Sequence, residues 1–260
     1  MRTTLLGAAL LVGLTEAFGL CMHASEAAVP SKTPVVLELF TSEACSSCPP
    51  ADRLLQSLDA TQPFKGADLI VLSEHVDYWN DSGWIDPYSS KLFTARQQTY
   101  AEHFRLDGAY TPQVVVDGQR ETVGGNLDGI RTAVAAAVRN PKIALTISNP
   151  VQDGNRLKFH LTSADLPRTE GPVTVYVALA ENTVQSKVAR GENGGRSLTH
   201  VAVVRAFVPA GTLKGGSLFS RDIALPLPPH GLPSGFRVIA FLQEEKSQKI
   251  VGATYQKLGA

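Results

Sequence analysis

Two early segments of the chain are apolar at nearly every position rather than at alternate ones. Pro34 to Phe40 (PVVLELF) and Ala67 to Glu74 (ADLIVLSE) are rich in β-branched and aliphatic residues and predict buried strands. Between them, Asp52 to Leu58 (DRLLQSL) places Leu54, Leu55 and Leu58 at helical spacing. Pro49 and Pro50 locate the start of that helix, because proline is tolerated in the first turn, where amide hydrogens lack intrahelical partners. Ser47 as N-cap would put Cys48 inside the first turn and Cys45 just outside it. Lys91 to Phe104 predicts a second helix. Thr111-Pro112 then introduces a strand over Gln113 to Val116, Asp117-Gly118 is a hairpin turn signal, and Arg120 to Val123 is the returning strand. Asn126 caps a third helix running to about Arg139. The order is β-α-β-α-β-β-α.

From Pro141 the pattern changes. Ile143–Ser148, Arg156–Thr162, Val173–Ala180, Thr199–Val208, Ser217–Ile223 and Phe236–Gln243 are short β-rich runs separated by Gly, Pro and Asn clusters, with no helical stretch. Such runs predict an antiparallel, sandwich-like arrangement. The expected organisation is an α/β domain over 28–140 and an all-β sandwich-like domain over 141–260, the boundary falling at Asn140-Pro141.

The first residues belong to neither. Arg2, the apolar run Leu5 to Leu14 and the small residues around Ser25-Glu26-Ala27 have the order of a secretory signal, with cleavage expected after Ala27. The run is shorter than the roughly 20 apolar residues of a spanning helix. A periplasmic or secreted protein without stable membrane insertion is therefore expected. Composition agrees: 24 basic and 24 acidic residues in 260 give zero formal net charge, which argues against nucleic acid as a partner. Of 3 cysteines, Cys21 leaves with the signal. Cys45 and Cys48 remain as one Cys-Ser-Ser-Cys.

A Cys-x-x-Cys between a strand and a helix suits dithiol chemistry. The positive end of a helix favours thiolate over thiol, and one thiolate attacks a disulfide while the other resolves the mixed disulfide. Cys45 is the expected nucleophile and Cys48 the resolving thiol, with protein or small-molecule thiols and disulfides as partners and no cofactor beyond the pair. Three alternatives stand beside this: a permanent structural disulfide, a copper or zinc site formed by Cys45, Cys48 and His75, and a non-catalytic binding module whose sandwich-like half recognises a partner. Against the metal site, His75 has the simpler reading of a histidine bonded within its own loop.

Other residues are candidates by position. Thr111 and Pro112 open a strand where backbone groups can be aimed at a peptide. Tyr78, Trp79 and Trp84 lie in the aromatic loop after the second strand, either as a substrate wall or as packing for a long loop. Arg190-Gly-Glu-Asn-Gly-Gly-Arg196 is Gly-rich but lacks the Gly-Lys-Ser/Thr of a phosphate cradle. Arg196 and His200 are its candidates for contact with the first half.

Cys45-Ser46-Ser47-Cys48 after a strand, Thr111-Pro112 before a hairpin and the element order together resemble the thioredoxin-like superfamily, over about residues 34–140. The phrases LELFTSEACSSCPPAD, HVDYW, GWIDPYSSKLFTARQQTYA and RGENGGRSLTHVAVVR are similar to those of a family of secreted bacterial thioredoxin-like proteins of unassigned function. The resemblance implies a thioredoxin-like domain and an extracytoplasmic location. Two positions depart from ordinary thioredoxins. Ala44 stands where a tryptophan is usual, and Leu39 stands six before the first cysteine, where a buried acid is common. Glu43, Glu74 or His75 are the candidates to replace that acid.

Overall fold

The computed structural model describes residues 32–167, 171–229 and 233–259. The expected signal segment 1–27, with Cys21, lies outside the described residues. Lys32–Ala260 is one compact unit.

The chain begins with strand β1 (Thr33–Thr41), helix α1 (Pro49–Thr61), strand β2 (Ala67–His75) and helix α2 (Lys91–Phe104). Strands β3 (Gln113–Val116) and β4 (Arg120–Val123) and helix α3 (Leu127–Ala137) follow. β1 pairs in parallel with β2 and antiparallel with β3, which forms a hairpin with β4. The hairpin turn has positive φ at both central residues, Asp117 (50°) and Gly118 (66°), which is the twist that two-residue hairpins favour. Gly118 also has no room for a side chain, since a Cβ there would fall 1.9 Å from the Gln248 carbonyl oxygen. Asn126 caps α3 as expected, its side chain accepting from the Gly129 amide.

α1 differs at its start. Cys48, not Ser47, is the N-cap, and no side chain caps the helix. None is needed, because Pro49 and Pro50 have no N–H and the next two amides, Ala51 and Asp52, both donate to the Cys48 carbonyl at 2.9 and 3.1 Å.

The second half contributes β5 (Leu145–Asp153), β6 (Arg156–Ser163), β7 (Val173–Lys187), β8 (Ser197–Leu213), β9 (Ser220–Pro226), β10 (Phe236–Glu244) and β11 (Ile250–Lys257). The last strand has no counterpart in the sequence reading, because IVGATYQK is too mixed to stand out as a buried run. β5, β6 and β9 make a three-stranded antiparallel sheet. Its apolar side, with Leu157, Phe159 and Leu161, shares a core with Val175, Val177 and Leu179 of β7 and Val238 and Ala240 of β10.

The two halves nevertheless do not close separate sheets. β7, β8, β10 and β11 extend the first sheet into eight strands, in the order β11-β10-β7-β8-β2-β1-β3-β4. β8 runs parallel to β2 at Ser73 and Val203, and the Ser73 hydroxyl donates to the Val201 carbonyl at 2.7 Å. The resulting mixed α/β sheet carries the three helices, and its main core draws on both halves, from Val35 and Leu72 to Ala202 and Phe241. Buried ion pairs also cross between the halves. Arg237 on β10 is forked onto Asp59 of α1 at 2.7 and 3.0 Å, and Lys142 reaches Asp117 at 2.7 Å. Arg96 of α2 pairs with Glu38 at 2.5 Å and lies among the rings of Tyr100, Tyr176, Phe207 and Phe241. One consequence places β8, a strand of the second half, beside the end of β2 and α1.

Candidate functional site

Cys45 and Cys48 are joined as a disulfide, and both are fully buried. The turn that carries them is closed by backbone bonds, Cys45 N–H to the Ser42 carbonyl and Cys48 N–H to the Cys45 carbonyl, each 3.2 Å. Ser46 and Ser47, between the cysteines, are exposed. The sequence reading expects free amide donors at the start of α1. The structure corrects this, since two of the first positions are prolines and the next two amides are already bonded.

The Gly-rich loop between β7 and β8 is bonded to the cysteine turn. Asn193, itself fully buried, donates from Nδ2 to the carbonyls of both Glu43 (2.8 Å) and Cys45 (2.9 Å). Glu192 accepts from the Ser46 amide at 3.1 Å. Arg196, a candidate for contact with the first half, is exposed and donates to Asn193 Oδ1 at 2.8 Å, so it orients the amide that holds the cysteine turn. Asn193 escaped the sequence reading; an amide side chain in the middle of a Gly-rich loop was its only signal.

The aromatic loop 76–90 closes another side. Trp84 Nε1 donates to Glu43 Oε2 at 2.8 Å, Trp79 Nε1 to Thr111 Oγ1 at 2.7 Å, and the Tyr78 hydroxyl to Gln97 at 3.2 Å. Each polar handle is thus engaged with the protein itself, and only Tyr78 of the three is classed with the exposed side chains. The Thr111–Pro112 bond is cis. Pro112 lies close to α1, because a Cβ placed on Gly124 would meet Ala51 Cβ at 2.8 Å and Pro112 Cβ at 2.9 Å. Gly124 therefore allows the Pro112 segment to approach the helix just beyond Cys48.

A cluster of ionisable groups is buried around the cysteine turn. His200 of β8 lies between two carboxylates, with Nε2 3.7 Å from Glu43 and Nδ1 3.6 Å from Asp52. Asp52 is one helical turn beyond Cys48 and accepts from Thr41 Oγ1 at 2.9 Å. Glu43 also accepts from the Ser186 hydroxyl. Burial alone would push the His200 imidazole down, but the Asp52 and Glu43 carboxylates outweigh it and raise it to about 10. Burial would likewise raise Glu43, yet His200, Ser186 and Trp84 hold it below its ordinary value.

His75 is bonded within its own loop, as the simpler reading expects. Its Nδ1 meets Asp86 Oδ2 at 2.7 Å, and the same oxygen accepts from the Glu43 amide at 2.8 Å. Burial would raise Asp86, but His75 and the amides of Glu43 and Tyr88 hold it low. With the cysteines joined to each other, the copper or zinc set Cys45, Cys48 and His75 is not assembled. Among the described residues no group of three or more His, Cys, Asp or Glu side chains is arranged to hold a metal ion. Glu74, another candidate acid, lies elsewhere, 3.7 Å from Arg96, and burial together with Glu38 drives its carboxyl well above the ordinary range.

The profile of the family described as "Protein of unknown function (DUF1223)" matches residues 36–243. The chain belongs to the DUF1223 family. The match spans both halves, from β1 through β10. Among solved structures, this DUF1223 chain is similar to Protein AGR_C_4864 from Agrobacterium tumefaciens, at 26% identity and a TM-score of 0.67, covering 88% of this chain and 96% of that one. A domain of the outer membrane lipoprotein Omp28 from Porphyromonas gingivalis matches at 16% identity and a TM-score of 0.31, covering 45% of this chain and 88% of that chain. No curated protein matches the sequence.

Proposed function

We propose that this DUF1223 protein is an extracytoplasmic thiol–disulfide oxidoreductase whose first half is thioredoxin-like. The observation that carries this reading is the Cys45–Cys48 disulfide, its second cysteine being the N-cap of α1. The order β1-α1-β2-α2-β3-β4-α3 and the approach of Pro112 to α1 support it. The signal-like residues 1–27 support a periplasmic or secreted location, where disulfides persist.

The reaction is exchange. A substrate thiolate attacks Cys45 Sγ, the Cys45–Cys48 bond breaks, and its electron pair leaves on Cys48 Sγ. A second substrate thiolate attacks the substrate sulfur of the mixed disulfide and releases Cys45. The substrate dithiol loses two electrons and two protons, and the cysteine pair gains them; the reverse sequence reduces a substrate disulfide. Both cysteines are fully buried, so the protein around them must open before a thiol reaches Cys45, and the loop carrying Asn193, bonded to the Cys45 carbonyl, is the part proposed to lift. Tyr78, Trp79 and Trp84 would then flank the opening as a wall for the substrate.

The test is a Cys48→Ser variant produced in cells with its native signal. Covalent partners bound through Cys45, released by reductant and absent from the Cys45→Ser/Cys48→Ser protein, are the expected result. No such adduct, together with a Cys45–Cys48 bond that stays oxidised in strongly reducing buffer without denaturant, would sink the proposal.

A further inference from the structure

Reduction of the disulfide puts negative charge on a buried sulfur, and the usual source of compensation is weak here. Pro49 and Pro50 remove two helix N-terminal donors, and the Ala51 and Asp52 amides are bonded to the Cys48 carbonyl. What lies around the cysteine turn instead is His200. Glu43, two residues before Cys45, and Asp52, one turn after Cys48, approach its opposite ring nitrogens at 3.7 and 3.6 Å. Neither nitrogen has a hydrogen-bond partner among the described residues, and Asp52 Oδ2 has none either. His200 is thus a fully buried ring held between the two sides of the disulfide turn.

Resting on the oxidoreductase reading, we infer that His200 is a positioning residue of the Cys45–Cys48 pair, a cation built in from the second half that sets the charge felt by the reduced sulfurs. It acts through Glu43 and Asp52, which hold it in place and whose own charges it offsets. The other groups facing it are His75 of β2, with ring centres 4.8 Å apart, and Tyr88 of the aromatic loop at 6.5 Å. Asp86 stands behind His75, and Arg205, paired with Glu181, lies over the Tyr88 ring. The two carboxylates beside His200 raise its basicity above the ordinary imidazole value and keep it charged at neutral pH. This also gives β8 its place in the site. The joining of β2 to β8 carries a histidine 152 positions beyond Cys48 in the sequence to the foot of α1.

The inference is tested by equilibrating the purified protein with thiol–disulfide buffers and reading the reduced fraction by alkylation and mass. A positive charge near the pair stabilises the reduced, thiolate-bearing form. In His200→Gln the equilibrium constant for reduction should fall at least tenfold, about 30 mV for this two-electron couple. The pH at which the reduced pair becomes half-reactive toward alkylation should rise. In Asp52→Asn, Glu43 remains to keep His200 charged, so the loss of one negative charge should move both readouts the opposite way, a reversal that loss of packing does not produce. Both variants folded and unshifted, or both shifted in the same direction, would overturn the role of His200 and leave the oxidoreductase reading intact. If His200→Gln does not fold, an unshifted Asp52→Asn overturns it alone. A wild-type disulfide that equilibrates with no buffer would instead remove the oxidoreductase reading itself.

Discussion

Replacing Asn193 by alanine should unlock the disulfide. Its amide makes two buried hydrogen bonds, of 2.8 and 2.9 Å, to the carbonyls of Glu43 and Cys45. At about 1 kcal/mol net for each, Asn193→Ala weakens the closed loop by about 2 kcal/mol. When the loop opens and recloses faster than reductant reacts, the rate of reduction follows the open population. A change of about 2 kcal/mol then corresponds to roughly a 30-fold faster reduction. The assay is a time course with dithiothreitol in native buffer, quenched by alkylation and read by intact mass. Glu192→Ala removes one solvent-exposed contact, to the Ser46 amide, and should accelerate reduction by no more than about threefold. Equal rates for wild type and Asn193→Ala would refute the clamp. So would an Asn193→Ala rate that merely tracks global stability measured in urea, since reduction would then proceed through unfolding rather than loop opening.

The ion pair between Arg237 and Asp59 supplies that control, because both side chains are largely buried and the Arg237 bonds run to Asp59 and Asn182. Arg237→Ala leaves Asp59 without its partner and should cost about 3–5 kcal/mol in urea denaturation while leaving native-state reduction nearly unchanged; a loss below about 1 kcal/mol would contradict the burial argument. Stability should also depend on pH through His200. Its folded value near 10 lies above its ordinary 6.5, so its contribution is complete below about pH 6.5 and is lost as pH rises toward 10. Glu43 and Asp86, held low, contribute stability above their ordinary 4.5 and 3.8 that is lost as pH falls through their folded values. Melting temperature against pH should therefore fall on both sides, and His200→Gln should flatten the alkaline limb; a variant with the wild-type alkaline slope would show that another group carries it. Gly124→Ala, whose Cβ would sit 2.8 Å from Ala51 and 2.9 Å from Pro112, should cost about 1–3 kcal/mol by overpacking, and an unchanged urea midpoint would mean that the Pro112 segment yields freely.

Local pattern was enough for most of the individual elements. The helix over Lys91–Phe104 and the strands over Gln113–Val116 and Arg120–Val123 have the same bounds in the structure as in the sequence reading. Their signals are short-range: a helical period, a proline opening a strand, and an Asp-Gly turn. The N-cap of α1 was misplaced by one residue because the usual preference for serine assumes free amides to cap, and two prolines leave none. β11 was missed because Ile250–Lys257 is apolar only at its beginning, and it becomes a strand by pairing with β10.

The candidate site divides in the same way. By itself the sequence determined the cysteine pair and its place between a strand and a helix, both of which are set within a few residues by backbone chemistry. It could point to Arg196 and His200 but not say what they touch. Only the tertiary structure decided that Asn193 holds the cysteine turn and that His200 lies between Glu43 and Asp52. It also decided that strands of both halves share one eight-stranded sheet. Those contacts depend on β8 lying beside β2, a parallel pairing made between segments about 130 residues apart. Such a pairing carries no local periodicity, because its energy comes from closing a shared core rather than from any preference of the paired residues.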